Sequence, residues 1–305
     1  DANLEGVDLS GKDITGTILT DTNLTDANLN GVDLSGKDLT GTILKGADLT
    51  DANLNGVDLS GRDLTGTSFW YTSFKNTNMK NTNLNSADLM KTDLTEIKNK
   101  SLAGTDLSNA AFLLSNLSGI NISDVILLQT NFSQANLSGV DFTVTSKSPY
   151  KGTLFVKADL SNSNFEGITL SPDEIITTSF KNKADAINLR GHDLVENLFG
   201  IIYPNLYILT KEVSGNDLNI DFIYYTNFSG ADLENANFKN AGLWFVSFFS
   251  ADLTNADLSG ADLRKAWLGN SNLSDVNLQD ADLSGADLRE ANISGADLSG
   301  TNLTN

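Results

Sequence analysis

Residues 26–50 read DANLNGVDLSGKDLTGTILKGADLT, and within them Leu29, Leu34, Leu39, Leu44 and Leu49 stand five apart without a break. The residue before each is mostly Asp or Asn, as in Ala27-Asn28-Leu29 and Ala47-Asp48-Leu49, and the one before that is mostly small. Ser, Thr and Gly fill most of the remaining places. Outward from this stretch the same frame runs from Leu4 to Leu94. A period of five fits neither the 3.6 of a helix nor the 2.0 of a strand, so neither amphipathic template buries this pattern. Another kind of coil is needed, and the repeat must be settled before any element is assigned.

The five-residue signature resembles the pentapeptide-repeat family. That resemblance implies an all-β, right-handed, four-sided β-helix, one five-residue side per face and about twenty residues per coil. It also implies that the central Leu or Phe and the small residue two before it point inward, while the other three point out. Such a narrow tube holds one large and one small side chain per face, so successive coils stack like on like. At the usual strand spacing of ~4.8 Å per coil, the whole chain would wind into a rod on the order of 70 Å long.

The frame divides the chain. Residues 1–94 are regular. After Glu96 to Ser101 the repeat restarts at Leu102, eight residues on, which predicts a three-residue bulge. A second block, 102–170, carries a loop over 143–154 that contains Pro149. In the third, 171–217, Ser171-Pro172-Asp173-Glu174 before Ile175-Ile176 has the signs of a helix start, namely a cap, a first-turn proline and a capping-box acid. One short helix is expected there, with partial repeats at Leu189, Leu194 and Phe199 and an out-of-frame apolar run from Gly200 to Leu209. The last frame, 218–305, starts at Leu218 and passes Ile223 and Phe228 to Leu303. The reading is one continuous solenoid with a short helix and loops in its middle.

A longer period lies over the first. Residues 1–25, 26–50 and 51–75 align with one another, and twenty-five residues are five faces. With four faces to a coil, each copy turns by one face, so Lys12, Lys37 and Arg62 step around the tube and form no basic stripe. All three occupy the small inward place, where a charged head must snorkel out; the adjacent Asp13, Asp38 and Asp63 are the expected acceptors.

Composition excludes several kinds of chemistry. The 305 residues hold no cysteine and one histidine, which removes thiolate nucleophiles, disulfides and the usual zinc cages. His192, at a small inward place, has no nucleophile beside it and reads as a packed side chain. The repeated aspartates have no EF-hand or glycine-rich calcium spacing, so no metal, cofactor or catalytic residue is assigned and the chain reads as non-enzymatic. Thirty-nine acidic against 20 basic residues give a net charge of −19, which opposes direct nucleic-acid binding. No run of about 18 apolar residues is present to span a bilayer. A start at Asp1 without methionine is expected of a chain that has been trimmed or has lost a leader, which favours a secreted or cell-surface form over a cytoplasmic one. Most of the Asn-X-Ser/Thr sequons arise from the repeat itself and say little about secretion; Asn99, in the bulge, is the least repeat-driven.

A protein partner or a second copy is the expected target. Residues twenty apart share a face, so Tyr224 falls under Trp244, and Tyr225 under Phe245 with Arg264 and Lys265 beyond, where cation–π contact is expected. Phe249 and Trp267 fall on the next face. These eight residues form the proposed interaction patch, unless the run from Gly200 to Leu209 folds over it. Trp70 and Tyr71 make a smaller outward pair, expected under the bulge at Glu96 to Ser101. The repeat stays in phase to Leu4 at one end and Leu303 at the other, so the terminal coils are expected either to pair their backbone groups with another subunit, a second place for assembly, or to be capped by flanking chain. The alternative rests on the resemblance and the charge: some family members act as acidic mimics of duplex DNA that inhibit or protect type II topoisomerases such as gyrase. Those relatives tend to carry a carboxy-terminal dimerisation segment, whereas here the repeats run on to Leu303.

Overall fold

The computed structural model describes residues 2–143, 153–165, 168–170 and 225–304 in full, and the backbone of three strands between them. Parallel bridges join residues twenty apart, as in Asn28↔Asp48↔Ser68↔Asp88, so a coil is four faces of five residues. Each face closes with a turn: the Val7 N–H donates to the Leu4 carbonyl at 3.1 Å, and the same bond recurs along the chain. The third residue of that turn has a positive φ, 54° at Asp26, 58° at Asn81 and 68° at Gly46. This is the type II requirement that favours Gly and Asn, with Asp tolerated. The Asp or Asn before the central residue locks the corner, because its carboxylate or amide oxygen accepts the N–H two residues on; Ser10 N to Asp8 Oδ1 is 3.0 Å.

Leu29, Leu49 and Phe69 are fully buried, as are Ala27 and Ala47 at the small place. The inward and outward partition of the repeat is therefore observed. Where threonine takes the small place, its hydroxyl donates either to a carbonyl of the coil below, as from Thr72 Oγ1 to Leu49 O at 2.6 Å, or to that of the central residue three before it, as from Thr92 Oγ1 to Leu89 O at 2.7 Å. From Phe132 onward phenylalanines replace many of the leucines and stack in two columns. Phe132, Phe155, Phe228 and Phe248 follow one another at 5.5, 4.8 and 5.2 Å with rings within 11° of parallel. Phe142, Phe165 and Phe238 follow at 4.3 and 4.7 Å. The columns meet edge to face, the arrangement that ring quadrupoles favour.

The bulge is present. Lys98–Lys100 form a single 3-10 turn, and across it bridge partners stand 23 apart, Asn83↔Asp106, before returning to 20 at Ser101↔Asn121. The loop after Thr143 also adds three residues, since Asn131 pairs with Leu154. The large insertion behaves differently. Leu154 pairs with Asn227, Asp159 with Asp232 and Asn164 with Asn237, each 73 apart instead of 20. Fifty-three residues are thus looped out of one corner, between Leu170 and Phe228, and the coil closes over the gap.

Two expectations are corrected here. The helix expected from Ser171 does not continue through Ile176: β1, Ile176–Phe180, is a strand, and its Ile176-Thr177-Thr178 run is β-branched. Ser171 to Ile175 lie outside the described residues. The final frame does not begin at Leu218, because Asp217–Tyr224 is strand β3 of an antiparallel sheet in the order β1-β3-β2, with β2 at Leu206–Ser214. In that strand Leu218, Ile220 and Phe222 follow a period of two, and the five-residue spacing of Leu218 and Ile223 is coincidental. The regular coil resumes at Asn227. Of the apolar run, Leu206 to Leu209 belong to β2, Leu206–Ser214. Leu189, His192, Leu194 and Phe199, with Pro149, lie outside the described residues.

Candidate functional site

The turn positions after each central residue form the outer edges of the tube, and a side chain there has no core to enter. One such edge is apolar for three successive coils. Trp70 and Tyr71 are followed one coil on by Met90 and Lys91, and one further by Leu113 and Leu114. The backbone aligns them: Lys91 N donates to Leu113 O at 2.9 Å. Tyr71 and Leu114 are each 50% exposed, and Trp70, Met90 and Leu113 are half-buried. Trp70 is fixed by its Nε1–H, which donates to Asp88 Oδ2 at 2.6 Å. The Lys91 ammonium donates to the Tyr71 hydroxyl at 2.6 Å and lies 5.0 Å from that ring centroid and 5.9 Å from the Trp70 ring. The same edge, followed further, passes Ser133 and Gln134, Val156 and Lys157, and Ser229 and Gly230 before it reaches Phe249, so its apolar stretch is interrupted there. Trp70 and Tyr71 are therefore not under the bulge, which lies a face away, with Lys98 N bonded to Thr77 O.

Met90, Leu113 and Leu114 escape a reading of aromatics alone. The available signal was their position: each occupies a turn place where the repeat ordinarily has Ser, Thr, Gly or Asn.

Around the resumed coil the expected aromatic residues are brought together, with changed partners. Tyr225 meets Trp267 edge to face at 4.9 Å, Trp267 meets Phe245 at 5.5 Å and Phe245 meets Trp244 at 4.8 Å. The cluster is not the exposed surface expected of it: Phe245 is buried, and Tyr225, Trp244 and Trp267 are half-buried. Burial pushes the Tyr225 phenol up from its ordinary value. Phe249 remains exposed, at 47%, packed on Gly269. Lys265 holds its ammonium 5.6 Å from the Phe245 ring centroid, as expected. Arg264 instead forms two bonds of 2.7 Å to Asp262, so the geometry shows it paired to a carboxylate rather than to a ring. The side chain of Tyr224 lies outside the described residues.

The stepping cations also differ from expectation. Lys37 donates to the carbonyls of Ile14 and Thr17 at 2.8 and 3.1 Å, and Arg62 to those of Thr42 and Asp58 at 3.0 and 3.3 Å. Lys12 is exposed. The neighbouring Asp38 and Asp63 are engaged instead by Thr40 and Thr65, whose hydrogen bonds hold their carboxyls below the usual range. Many outward carboxylates are held in this way. Asp287 is the extreme, lowered to about 2 by hydrogen bonds from Arg289 and by its charge. Among the described residues no cluster of acids or histidine could hold a metal ion, and no helix is long and apolar enough to cross a membrane.

Comparison with known proteins agrees with this architecture. The chain matches the family model described as pentapeptide repeats in eight copies, over residues 1–36, 22–61, 38–70, 63–95, 115–143, 226–265 and 266–305. Among solved structures it is similar to HetL, a pentapeptide repeat protein involved in heterocyst differentiation regulation from Nostoc sp. strain PCC 7120. The identity is 22% over 92% of this chain and 88% of that one, with a TM-score of 0.34. A pentapeptide repeat protein of the Arabidopsis thaliana thylakoid lumen is 45% identical over 25% of this chain and 52% of its own, with a TM-score of 0.24. QnrB1, a plasmid-mediated fluoroquinolone resistance protein, is 18% identical over 100% of this chain and 92% of its own, at 0.26. Comparison with curated proteins gives no match. With the five-residue frame, the twenty-residue ladder and a family model that covers most of its length, the chain belongs to the pentapeptide-repeat family, whose coil is the right-handed four-sided β-helix.

Proposed function

We propose that the chain is a non-enzymatic interaction module, a stiff rod that holds a protein partner, or a second copy of itself, along one edge. The observation that carries this reading is that Tyr71 and Leu114, and four coils further on Phe249, stand on a single edge, each close to half exposed. Outward side chains in this fold are ordinarily small or polar, and apolar surface held in line by a rigid ladder is what a docking partner covers. The aromatic cluster of Tyr225, Trp244, Phe245 and Trp267, with Lys265 and Arg264 beside it, adjoins this edge at Phe249.

The test is capture and sedimentation of the intact chain against a Tyr71→Ala, Leu114→Glu, Phe249→Ala triple variant. The variant should lose the partner, or the self-association, with its thermal midpoint unchanged. A variant that retains both would refute the edge. The net charge of −19 supports a second reading, in which the acidic rod takes the place of duplex DNA on a type II topoisomerase. Excess protein that leaves gyrase supercoiling and its quinolone sensitivity unaltered removes that reading.

A further inference from the structure

In the three 25-residue copies the inter-coil ladder can be compared at equivalent positions. In the third copy it is closed at the third and fourth faces, though not at the fifth, where the bridge 73↔93 is absent: Leu64 N donates to Asn83 O at 2.8 Å, Phe69 N to Asp88 O at 2.7 Å, and Asp88 N to Thr67 O at 3.0 Å. In the first two copies the equivalent bonds are missing among the described residues. Ile14 N and Leu19 N do not reach the coil above, and neither do Leu39 N and Leu44 N. Bridges 13↔33, 18↔38, 38↔58 and 43↔63 are likewise absent. The second of these openings is a cleft of about 360 Å³ between Lys37 to Thr40 and Asp58 to Arg62.

The residue that differs is the one entering the small inward place from the coil above. It is Lys37 over Thr17 and Arg62 over Thr42 in the open seams, and Ala87 over Thr67 in the closed one. A long stem does not fit beside the central residue in a tube packed for Ala, Val or Thr, so the coils part. The charged head then occupies the vacated ladder site: Lys37 bonds Thr17 O, and Arg62 bonds Thr42 O, the carbonyls that would have received Asp38 N and Asp63 N. The third copy also has Ser68 where the others have Ile18 and Ile43. An apolar residue at that place does not open the ladder by itself, because Trp267 bridges both Ser247 and Asp287.

We infer that Lys37 and Arg62 are built-in spreaders that turn two seams of the amino-terminal frame into joints of low local stability. The 25-residue step sets the joints one face apart around the tube, so the first coils can tilt on the rest about two directions while their core stays wound. Local opening of this kind is read by amide exchange.

The test is residue-resolved hydrogen exchange on the full chain. In the wild type, the Ile14, Leu19, Leu39 and Leu44 amides should exchange on the order of 100-fold faster than those of Leu64 and Phe69. Lys37→Ala should slow Ile14 and Leu19, and Arg62→Ala should slow Leu39 and Leu44, each by a similar factor. Lys37→Met and Arg62→Met keep the stem and remove the donor, so exchange should stay fast. Should an alanine variant fold poorly, Arg62→Val places at 62 the residue that Val57 supplies one face earlier. Equal protection of all six amides in the wild type, no slowing in a folded Ala or Val variant, or Met variants that behave like Ala, would each overturn the inference.

Discussion

Phe228 is the first ring after the looped-out insertion, and replacing it with alanine should divide the rod. Its side chain is fully buried. It stacks on Phe155 at 4.8 Å and Phe248 at 5.2 Å, both within 4° of parallel, and meets Phe165 and Phe238 edge to face at 5.7 and 5.8 Å. Phenylalanine to alanine in a core costs ~3–5 kcal/mol, and four ring contacts place this site toward the upper end. In a solenoid, stability is approximately a sum over neighbouring coils, so the loss falls on the two interfaces that join the blocks before and after the insertion. The expected result in urea is a wild-type transition that separates into two for Phe228→Ala, the carboxy-terminal coils keeping their midpoint. Phe228→Leu, which restores the commonest central residue of the repeat, should cost about 1–2 kcal/mol and keep one transition. A Phe228→Ala protein that unfolds in one step within about 1 kcal/mol of wild type would show that the coil does not close across Phe155 and Phe228.

The acid limb should report the locked carboxylates. Asp8, Asp33, Asp58, Asp282 and Asp297 are lowered from 3.8, mainly by bonds from the Ser two residues on, and Asp287 to about 2. Between the unfolded and folded values the unfolded chain binds more protons, so their contribution is complete above pH about 4 and is lost as pH falls toward about 2. Denaturation followed by circular dichroism should show that window, and a flat stability from pH 5 to 2 would contradict it. Thr72→Val removes the hydroxyl donor to Leu49 O, but Ala52 N also donates there at 3.0 Å. No orphan is left, and the cost in urea unfolding should be only ~0.5–1.5 kcal/mol; a loss above about 3 kcal/mol would mean that the hydroxyl carries more than this bond. Lys91→Ala should free the Tyr71 ring and shift Trp70 fluorescence without lowering the thermal midpoint by more than about 2 °C, since an exposed cation–π pair contributes ~0.5–1 kcal/mol. An unchanged spectrum would show that Lys91 does not cover the indole.

Where five-residue spacing was unbroken, it specified the coil, the inward residues and both register slips, because a tube this narrow admits one large and one small side chain per face. It misled where another period took over. In Asp217–Tyr224 the alternation Leu218, Ile220, Phe222 builds a strand, and the accidental spacing to Ile223 imitates the repeat. Ser171-Pro172 carried the local signs of a helix, but the β-branched residues from Ile176 pair with β3 instead. The aromatic patch was legible as a neighbourhood, since Trp244, Phe245 and Trp267 do meet, and not as an exposed surface, because the burial of a side chain depends on what folds against it. The partners of Lys37 and Arg62 were unreadable for a related reason: whether a base turns to the adjacent carboxylate or to a carbonyl one coil away is decided by whether the coils stay closed.

The chain has no native cysteine, so closure of the coil over the insertion can be tested by directed cross-linking. Asp159 and Asp232 are bridge partners 73 residues apart, within the Cα separation of ~4.4–6.8 Å that a disulfide needs. Under mild oxidation the Asp159→Cys, Asp232→Cys protein should cross-link nearly completely, and Asp159→Cys with Asn237→Cys, one face further on, should not. Cross-linking of the second pair in preference to the first, or of neither, would contradict the twenty-residue, four-faced coil that carries through the middle of the chain.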